Sequence, residues 1–388
     1  FGWLSERVAS LWPVGSESLL KSLLVDGVIG GVGGVLVFLP NILLLFLAIA
    51  FLEGTGYMAR AAFLMDRFMH KLGLHGKSFI PMLIGFGCSV PGILATRTLE
   101  SRRDRLITML VLPLMSCGAR LVIYSLIIPA FFPLKWRAAI LLSLYGVGIL
   151  LAVGAALLLR KTLFRGELTP FVLELPPYRL PTFKGLVIHM WERAWMYVRK
   201  AGTLILAAAV ILWALTTFPQ KPADQYSRDY DAAIAAARQA GDPDEARELR
   251  AEQNREDLLY TVAGRVGKGL EPALKPLGFD WRIGTALVGA FAAKEIFVAQ
   301  LGIVFATGET GEEAPALRDQ LRDNYSPLVG YCIMLFCLIS SPCIATVAVT
   351  IRESGSWKWG AAQLAGLTVL AYIVTLAAYQ GGLLLGLG

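Results

Sequence analysis

Residues 138–159, AAILLSLYGVGILLAVGAALLL, contain no charged side chain. As a helix at about 1.5 Å per residue they reach roughly 33 Å, enough to cross the hydrocarbon core of a bilayer. A chain holding such a run must satisfy its backbone groups inside helices or closed barrels, because lipid offers no hydrogen bonds. Asn41–Leu52 and Ala201–Leu215 are further apolar runs. With 56% hydrophobic residues over 388 positions and a mean hydropathy of +0.60, the chain reads as all-α. The expected architecture is a polytopic membrane helical bundle of roughly eight spans, with broken or re-entrant helices.

The net charge of +7 fits basic residues retained in cytoplasmic loops. Nucleic-acid binding would need a clustered basic face outside the membrane, which the sequence lacks. All five cysteines (Cys88, Cys117, Cys332, Cys337, Cys343) fall in apolar segments, and an odd count without extramembrane spacing argues against a disulfide framework. Phe1 opens no signal peptide and the chain has no initiator methionine, so it is expected to begin partway through a longer protein.

Residues 78–124 carry the chemistry. Two apolar runs break at a cysteine among small or ring-locked residues, Gly85–Gly92 and Pro113–Gly118. Glycine and proline at membrane depth release carbonyls from the helical ladder, and such carbonyls persist only inside protein or facing a water-filled cavity. Broken helices with polar groups at the break build the midplane sites of secondary transporters. If the basic stretches 60–77 and 97–105 are both cytoplasmic, Ser78–Thr96 enters and leaves by one side, as a hairpin with Cys88 near its tip.

Residues 1–22 read as an amphipathic segment, 23–160 as a first repeat, 161–200 as a cytoplasmic linker and 201–388 as a second repeat. The linker holds an amphipathic surface helix at Lys184–Lys200, and a polar insert with one or two short helices occupies 220–280. Arg282–Phe305 is expected to cross with Lys294 and Glu295 inside, and Ser326–Ile351 to break at 340–343. A weak repeat relates PGILATRTLES (91–101) to PCIATVAVTIRES (342–354), each preceded by an acidic residue in an apolar run, Glu53 and Glu295. Interrupted segments at corresponding places in two halves point to a transporter site.

At these residues the chain resembles the membrane domain of the ferrous iron transport protein B (FeoB) family. The block GFGCSVPGILATRTLESRRDRLITMLVLPLMSCGARL is similar to the family's first gate region, and VGAFAAKEIFVAQLG with SSPCIATVAVTIRES to its second. The resemblance spans essentially the whole chain and implies two gate-type repeats and Fe²⁺ uptake across a bacterial inner membrane by a transporter, not an enzyme. It implies a G-domain upstream of Phe1, through which alone GTP and Mg²⁺ would enter. A small cytosolic Feo accessory protein, a homo-oligomer and the lipid bilayer are the other implied partners. Within this chain the closest approach to a phosphate loop is Gly76-Lys77-Ser78, where Lys71 replaces the first glycine and no strand precedes, so Lys77 reads as a loop lysine. Val122 stands where family members usually carry a proline, which leaves open how the helix is broken beyond Gly118.

The expected metal route is Cys88, Cys117 and Cys343, with Met115 as a thioether and Glu53 and Glu295 as carboxylates. Ser89, Pro91, Ser116, Arg97, Arg120 and Pro342 are expected to line or gate it, the arginines by neutralising carboxylates or capping released carbonyls. By residue chemistry alone, an unbridged cysteine is more often a buried small hydrophobe. Glu53, close to a cytoplasmic end, reads equally well as a solvated residue, and Lys294 offers Glu295 a structural partner. Cys332 and Cys337, about 140° apart around a helix, read as packing residues. Thiolate, thioether and carboxylate together suit a borderline divalent ion better than Mg²⁺ or Ca²⁺. Affinity order alone favours Cu or Zn, so iron is implied by the resemblance. A cation-coupled carrier of nucleosides or another organic solute is the rival reading. A thiol hydrolase lacks a histidine at membrane depth to activate its cysteine.

Overall fold

The computed structural model describes residues 23–24, 33, 39–71, 74–164, 177–197, 199, 202–222, 226–240, 243–292, 294, 296–305, 315–340 and 342–386. The amphipathic reading of 1–22 and the carboxylate Glu295 therefore lie outside the described residues. The described residues contain helices and turns and no strand, and the chain is an all-helical membrane bundle.

The first half opens with α1 (Leu39–Gly54) and α2 (Tyr57–Lys71), which meet at an 82° bend. Gly56, with φ of 77°, makes that corner. Two seven-residue helices follow, α3 (Phe79–Gly85) and α4 (Ser89–Ala95), folded against each other around Phe86-Gly87-Cys88. At about 10 Å each they are too short to cross a bilayer. Then come α5 (Arg102–Val111) and α6 (Gly118–Phe131), separated by a 3₁₀ turn at Leu112–Leu114 and an extended stretch, and the unbroken α7 (Leu134–Thr162).

The surface helix is α8 (Phe183–Tyr197), which packs along α1 through Met190 and Ala194. The second half starts with α9 (Thr203–Thr217), followed by α10 (Tyr230–Ala240) and α11 (Pro243–Tyr260) with a small core of their own. A third helix, α12 (Val262–Leu274), lies within the expected insert, beyond the one or two helices expected there. It is not solvent-facing throughout, for it buries Gly264 and Gly267 and packs on α13 (Trp281–Ala292).

The stretch expected to cross at 282–305 does not run straight. α13 and α14 (Ile296–Val304) fold back on each other, so that a side chain at Gly289 would meet Ile296 and Gln300. After α15 (Pro315–Asn324) comes α16 (Pro327–Ile339), broken at 340–343 from α17 (Ile344–Ser354). Gly355, with φ of 70°, ends α17, and α18 (Trp357–Leu384) closes the chain.

Among the described residues four helical stretches are long and apolar enough to cross a membrane, or five if the bent α1–α2 pair is one span. That tally is of the described residues, outside which most of the apolar run 23–39 lies, and it leaves out α9, α13 and α14, each shorter than 18 residues. The four divide by packing. The broken stretches Arg102–Phe131 and Pro327–Ser354 are 67% and 76% buried in their most apolar windows, whereas the unbroken α7 and α18 are 22% buried. Broken helices therefore sit inside and unbroken ones outside, against lipid.

Pro113 and Pro129 each release the carbonyl four residues earlier, since proline has no N–H to give the helical ladder, and the Gly87 carbonyl, in the link before α4, likewise has no helical donor. In each case another element supplies the donor. Gly87 C=O accepts from Gly118 N–H at 3.0 Å. Met109 C=O, four before Pro113, accepts from Gln363 Nε2 on α18 at 2.8 Å. Ser125 C=O, four before Pro129, accepts from an Arg318 guanidinium nitrogen on α15 at 3.2 Å.

This repair predicts a sign-specific double-mutant cycle. Gln363→Leu leaves the Met109 carbonyl bare in the interior and costs about 2 kcal/mol. In a Pro113→Ala background, where an N–H is restored to Met109, the same change should cost markedly less by thermal melting in detergent.

Candidate functional site

Each cysteine expected on the metal route occupies the residue just before a helix begins. Cys88 (φ −154°, ψ 133°) precedes α4, Cys117 (φ −82°, ψ 164°) precedes α6, and Cys343 (φ −57°, ψ 153°) precedes α17. All three are half-buried and none is in a disulfide. The positions follow from the local sequence: glycine at 85 and 87, proline at 113 and proline at 342 stop the preceding helical segment, and the cysteine lies in the extended link.

The first two breaks are held together. Gly118 N–H donates to Gly87 C=O, so the residues next to Cys117 and Cys88 are hydrogen-bonded neighbours. Gly87 also lies directly against Leu45 of α1, where any side chain would collide. Gly92 lets α4 approach α3, since an added Cβ would lie 3.0 Å from the Pro81 carbonyl oxygen. Ser89 and Pro91 are buried in this hairpin.

Arg120 organises the second break. Its side chain is buried, and its two terminal nitrogens donate to Met115 C=O at 2.7 Å and Pro113 C=O at 2.8 Å. The planar guanidinium fork spans two carbonyls that no helix can satisfy. Ser116 Oγ donates to Tyr124 Oη at 3.5 Å, and Met115 packs in the main core. At the third break Pro342 is buried, Cys343 Sγ lies 3.1 Å from Thr346 Oγ1, and Lys294 Nζ donates to Ser340 Oγ at 3.2 Å. Cys332 and Cys337 are fully buried in the main core, in keeping with the packing reading.

Other expected residues lie elsewhere. Glu53 is exposed in the last turn of α1, eight residues and about 12 Å along the helix from Leu45. Arg97, in the turn after α4, is not at a break. Its Nε donates to Glu353 Oε2 at 2.8 Å and its second nitrogen to Oε1. Arg105 joins the same carboxylate at 2.7 Å. Glu353 ends α17, and its side chain is 3% exposed. The clamp thus ties the first half to the second, where α4 and α17 also pack together. Lys77 pairs with Glu100 at 2.9 Å and holds that carboxyl below its usual range, in agreement with a loop-lysine role.

Sequence reasoning missed Glu353 and made little of Lys294. The signal for Glu353 was the Glu-Ser ending shared by the two repeat segments; its arginine partners, some 250 positions away, have no local signature. Among the described residues no three His, Cys, Asp or Glu side chains gather closely enough to hold a metal ion. The arrangement offers thiols one at a time beside released carbonyls. That suits weak, successive contacts with an ion rather than a closed structural site.

The Gate model, described as nucleoside recognition, matches residues 35–131 and 198–357, and the model of the ferrous iron transport protein B C terminus matches 141–193. The chain is 45% identical to a Fe(2+) transport protein A/Fe(2+) transporter FeoB fusion protein of Porphyromonas gingivalis, covering 99% of this chain and 46% of that one. It is 40% identical to the Fe(2+) transporter FeoB of Leptospira biflexa, over 96% and 52% of the two chains. It is 41% identical to that of Campylobacter jejuni, over 92% and 55%. The chain spans about half the length of these relatives. No solved structure matches it.

The clamp yields an ordered prediction. Glu353→Gln leaves two partly exposed guanidinium groups without their carboxylate and should cost about 2 kcal/mol. Arg97→Gln should cost about 1 kcal/mol or less, because Arg97 is half-exposed and Arg105 keeps the carboxylate paired. Thermal melting of the two variants in detergent checks the order.

Proposed function

This chain belongs to the Gate family, and from that premise we propose that it is the membrane part of a ferrous iron transport protein B and carries Fe²⁺ across a bacterial inner membrane. The reading rests on one observation above the others: Cys88, Cys117 and Cys343 each stand at the head of a helix where the chain is broken. A borderline divalent ion exchanges among sulfur, carbonyl and water ligands in such a setting, whereas Mg²⁺ or Ca²⁺ would want an all-oxygen shell. Cys88, Cys117 and Cys343 contact the ion in turn, with the Met115 thioether and the Glu53 and Glu295 carboxylates as further ligands. Ser89, Pro91, Ser116, Arg120 and Pro342 shape the breaks. Arg97 acts at a distance, through the clamp.

The architecture we favour is two gate-type repeats. Each half presents a pair of helices broken at a cysteine, α3–α4 at Cys88 and α16–α17 at Cys343, and the second helix of each pair carries one of the two similar segments, 91–101 and 342–354. Shorter helices such as α9 would complete roughly eight spans. A nucleoside carrier has only the descriptive title of the Gate model in its favour. The FeoA–FeoB fusion in Porphyromonas gingivalis supports a small cytosolic accessory partner.

Anaerobic Fe²⁺ binding to the purified protein tests the route. Cys88→Ser, Cys117→Ser and Cys343→Ser combined should weaken binding about tenfold or more, and equal binding by both proteins would return the cysteines to packing. Nucleotide control by a G-domain, with GTP and Mg²⁺ confined to it, is the second part of the proposal. Destroying the nucleotide site in the full-length protein should then abolish most Fe²⁺ uptake by vesicles, and undiminished uptake would refute it.

A further inference from the structure

The sides of α2 differ in kind. Met58, Ala62 and Met69 are buried against the protein, within about 40° of one another around the helix. Opposite them, Arg60, Arg67 and Lys71 form a row about 40° wide. Beside that row runs a second, of Tyr57, Leu64 and Phe68, which are 53%, 79% and 52% exposed. Asp66, the acidic residue of the helix, is turned aside to accept from Gly76 N–H at 3.0 Å. Arg60 stacks on the Tyr178 ring, 3.5 Å from its centroid, whereas Arg67 and Lys71 are exposed.

The bend decides how this face meets the membrane. α1 has no charged residue from Leu39 to Leu52, the composition of a segment that enters hydrocarbon. The 82° turn at Gly56 then lays α2 close to the membrane plane. Arg60, Asp66, Arg67, His70 and Lys71 make it too polar to cross. Pro181 abuts Gly54 at the same corner, and Leu180 and Phe183 beside it are exposed, so the apolar row continues onto the start of α8.

We propose that α2 lies in the membrane–water interface, with Tyr57, Leu64 and Phe68 sunk among the acyl chains, and that Arg67 and Lys71 hold the phosphates of anionic phospholipids. Long basic side chains lie along an apolar surface and carry their charge out to headgroup level. The apolar row accepts any lipid, and the basic row beside it supplies the preference for a negative headgroup. The assignment is independent of the metal route.

The test is native mass spectrometry of the purified protein, titrated in detergent with phosphatidylglycerol or with phosphatidylcholine. The wild type should bind phosphatidylglycerol the more tightly, and added ammonium acetate should narrow the difference. Arg67→Gln combined with Lys71→Gln should weaken phosphatidylglycerol binding about tenfold or more and leave phosphatidylcholine binding unchanged. Arg67→Lys combined with Lys71→Arg keeps both charges and should bind as the wild type does. Leu64→Gln combined with Phe68→Gln should weaken the binding of both lipids. All four side chains are exposed, so none of these variants should melt differently in detergent. A wild type without preference for phosphatidylglycerol overturns the proposal. So does an undiminished preference in the glutamine variant at 67 and 71, which would leave the basic row to a protein partner. Unchanged binding of both lipids by the variant at 64 and 68 overturns the interfacial placement.

Discussion

A carbonyl released from a helix in a dry interior must find another donor, and most of what is distinctive in this fold answers that requirement. Leaving one such group bare costs on the order of a few kcal/mol, a large part of a typical domain's net stability. Pro113 and Pro129 each release one and the link before α4 leaves another at Gly87, and the donors come from Gln363, Arg318 and Gly118. Arg120 covers two more at the extended link around Cys117. These repairs fix where the broken helices sit. A break whose carbonyl is bonded to a neighbouring element cannot face lipid, which accounts for α5–α6 lying inside; α16–α17 is buried as well, and α7 and α18 take the outer positions.

The same bonds join the two halves of the sequence. Gln363 and Arg318 belong to the second half and serve carbonyls of the first. Glu353 is held from the first half by Arg97 and Arg105. The helices that carry the repeat segments, α4 and α17, pack on one another, with Val349 against Ile93, Met109 and Leu112. Apolar packing between helices of similar hydrophobicity gives little direction inside a membrane. The polar contacts supply it, because each donor has one carbonyl to reach.

Much of this was legible from residue order. Glycine and proline flanking Cys88, Cys117 and Cys343 located the breaks, since those residues act on the local backbone whatever surrounds them. The hairpin around Cys88 followed from charge on both its flanks. What escaped was decided at long range. Arg97 was expected to meet a carboxylate, but Glu353 lies 256 positions away. Residues 282–305 have the apolarity of a crossing, and hydropathy does not distinguish one straight helix from α13 and α14 folded together. Gly289, where the two arms meet, was the available hint. The third helix of the polar insert, α12, was hidden because Arg265, Lys268 and Glu271 share it with the small residues that it buries.

The inter-half bonds also set the energetics of opening. In a dry interior, parting the halves would strip Met109 and Ser125 of their donors and expose the Glu353 carboxylate to an apolar medium, each at a cost of several kcal/mol. If water follows the separation, it replaces those donors and solvates the charges, and most of that cost disappears. Parting the halves is therefore cheap only where a continuous water path accompanies the motion. The thiols at the three breaks are half-buried, while Cys332 and Cys337 are fully buried in the core. On the proposed route, an ion that exchanges water for sulfur would therefore meet Cys88, Cys117 and Cys343 and leave Cys332 and Cys337 untouched.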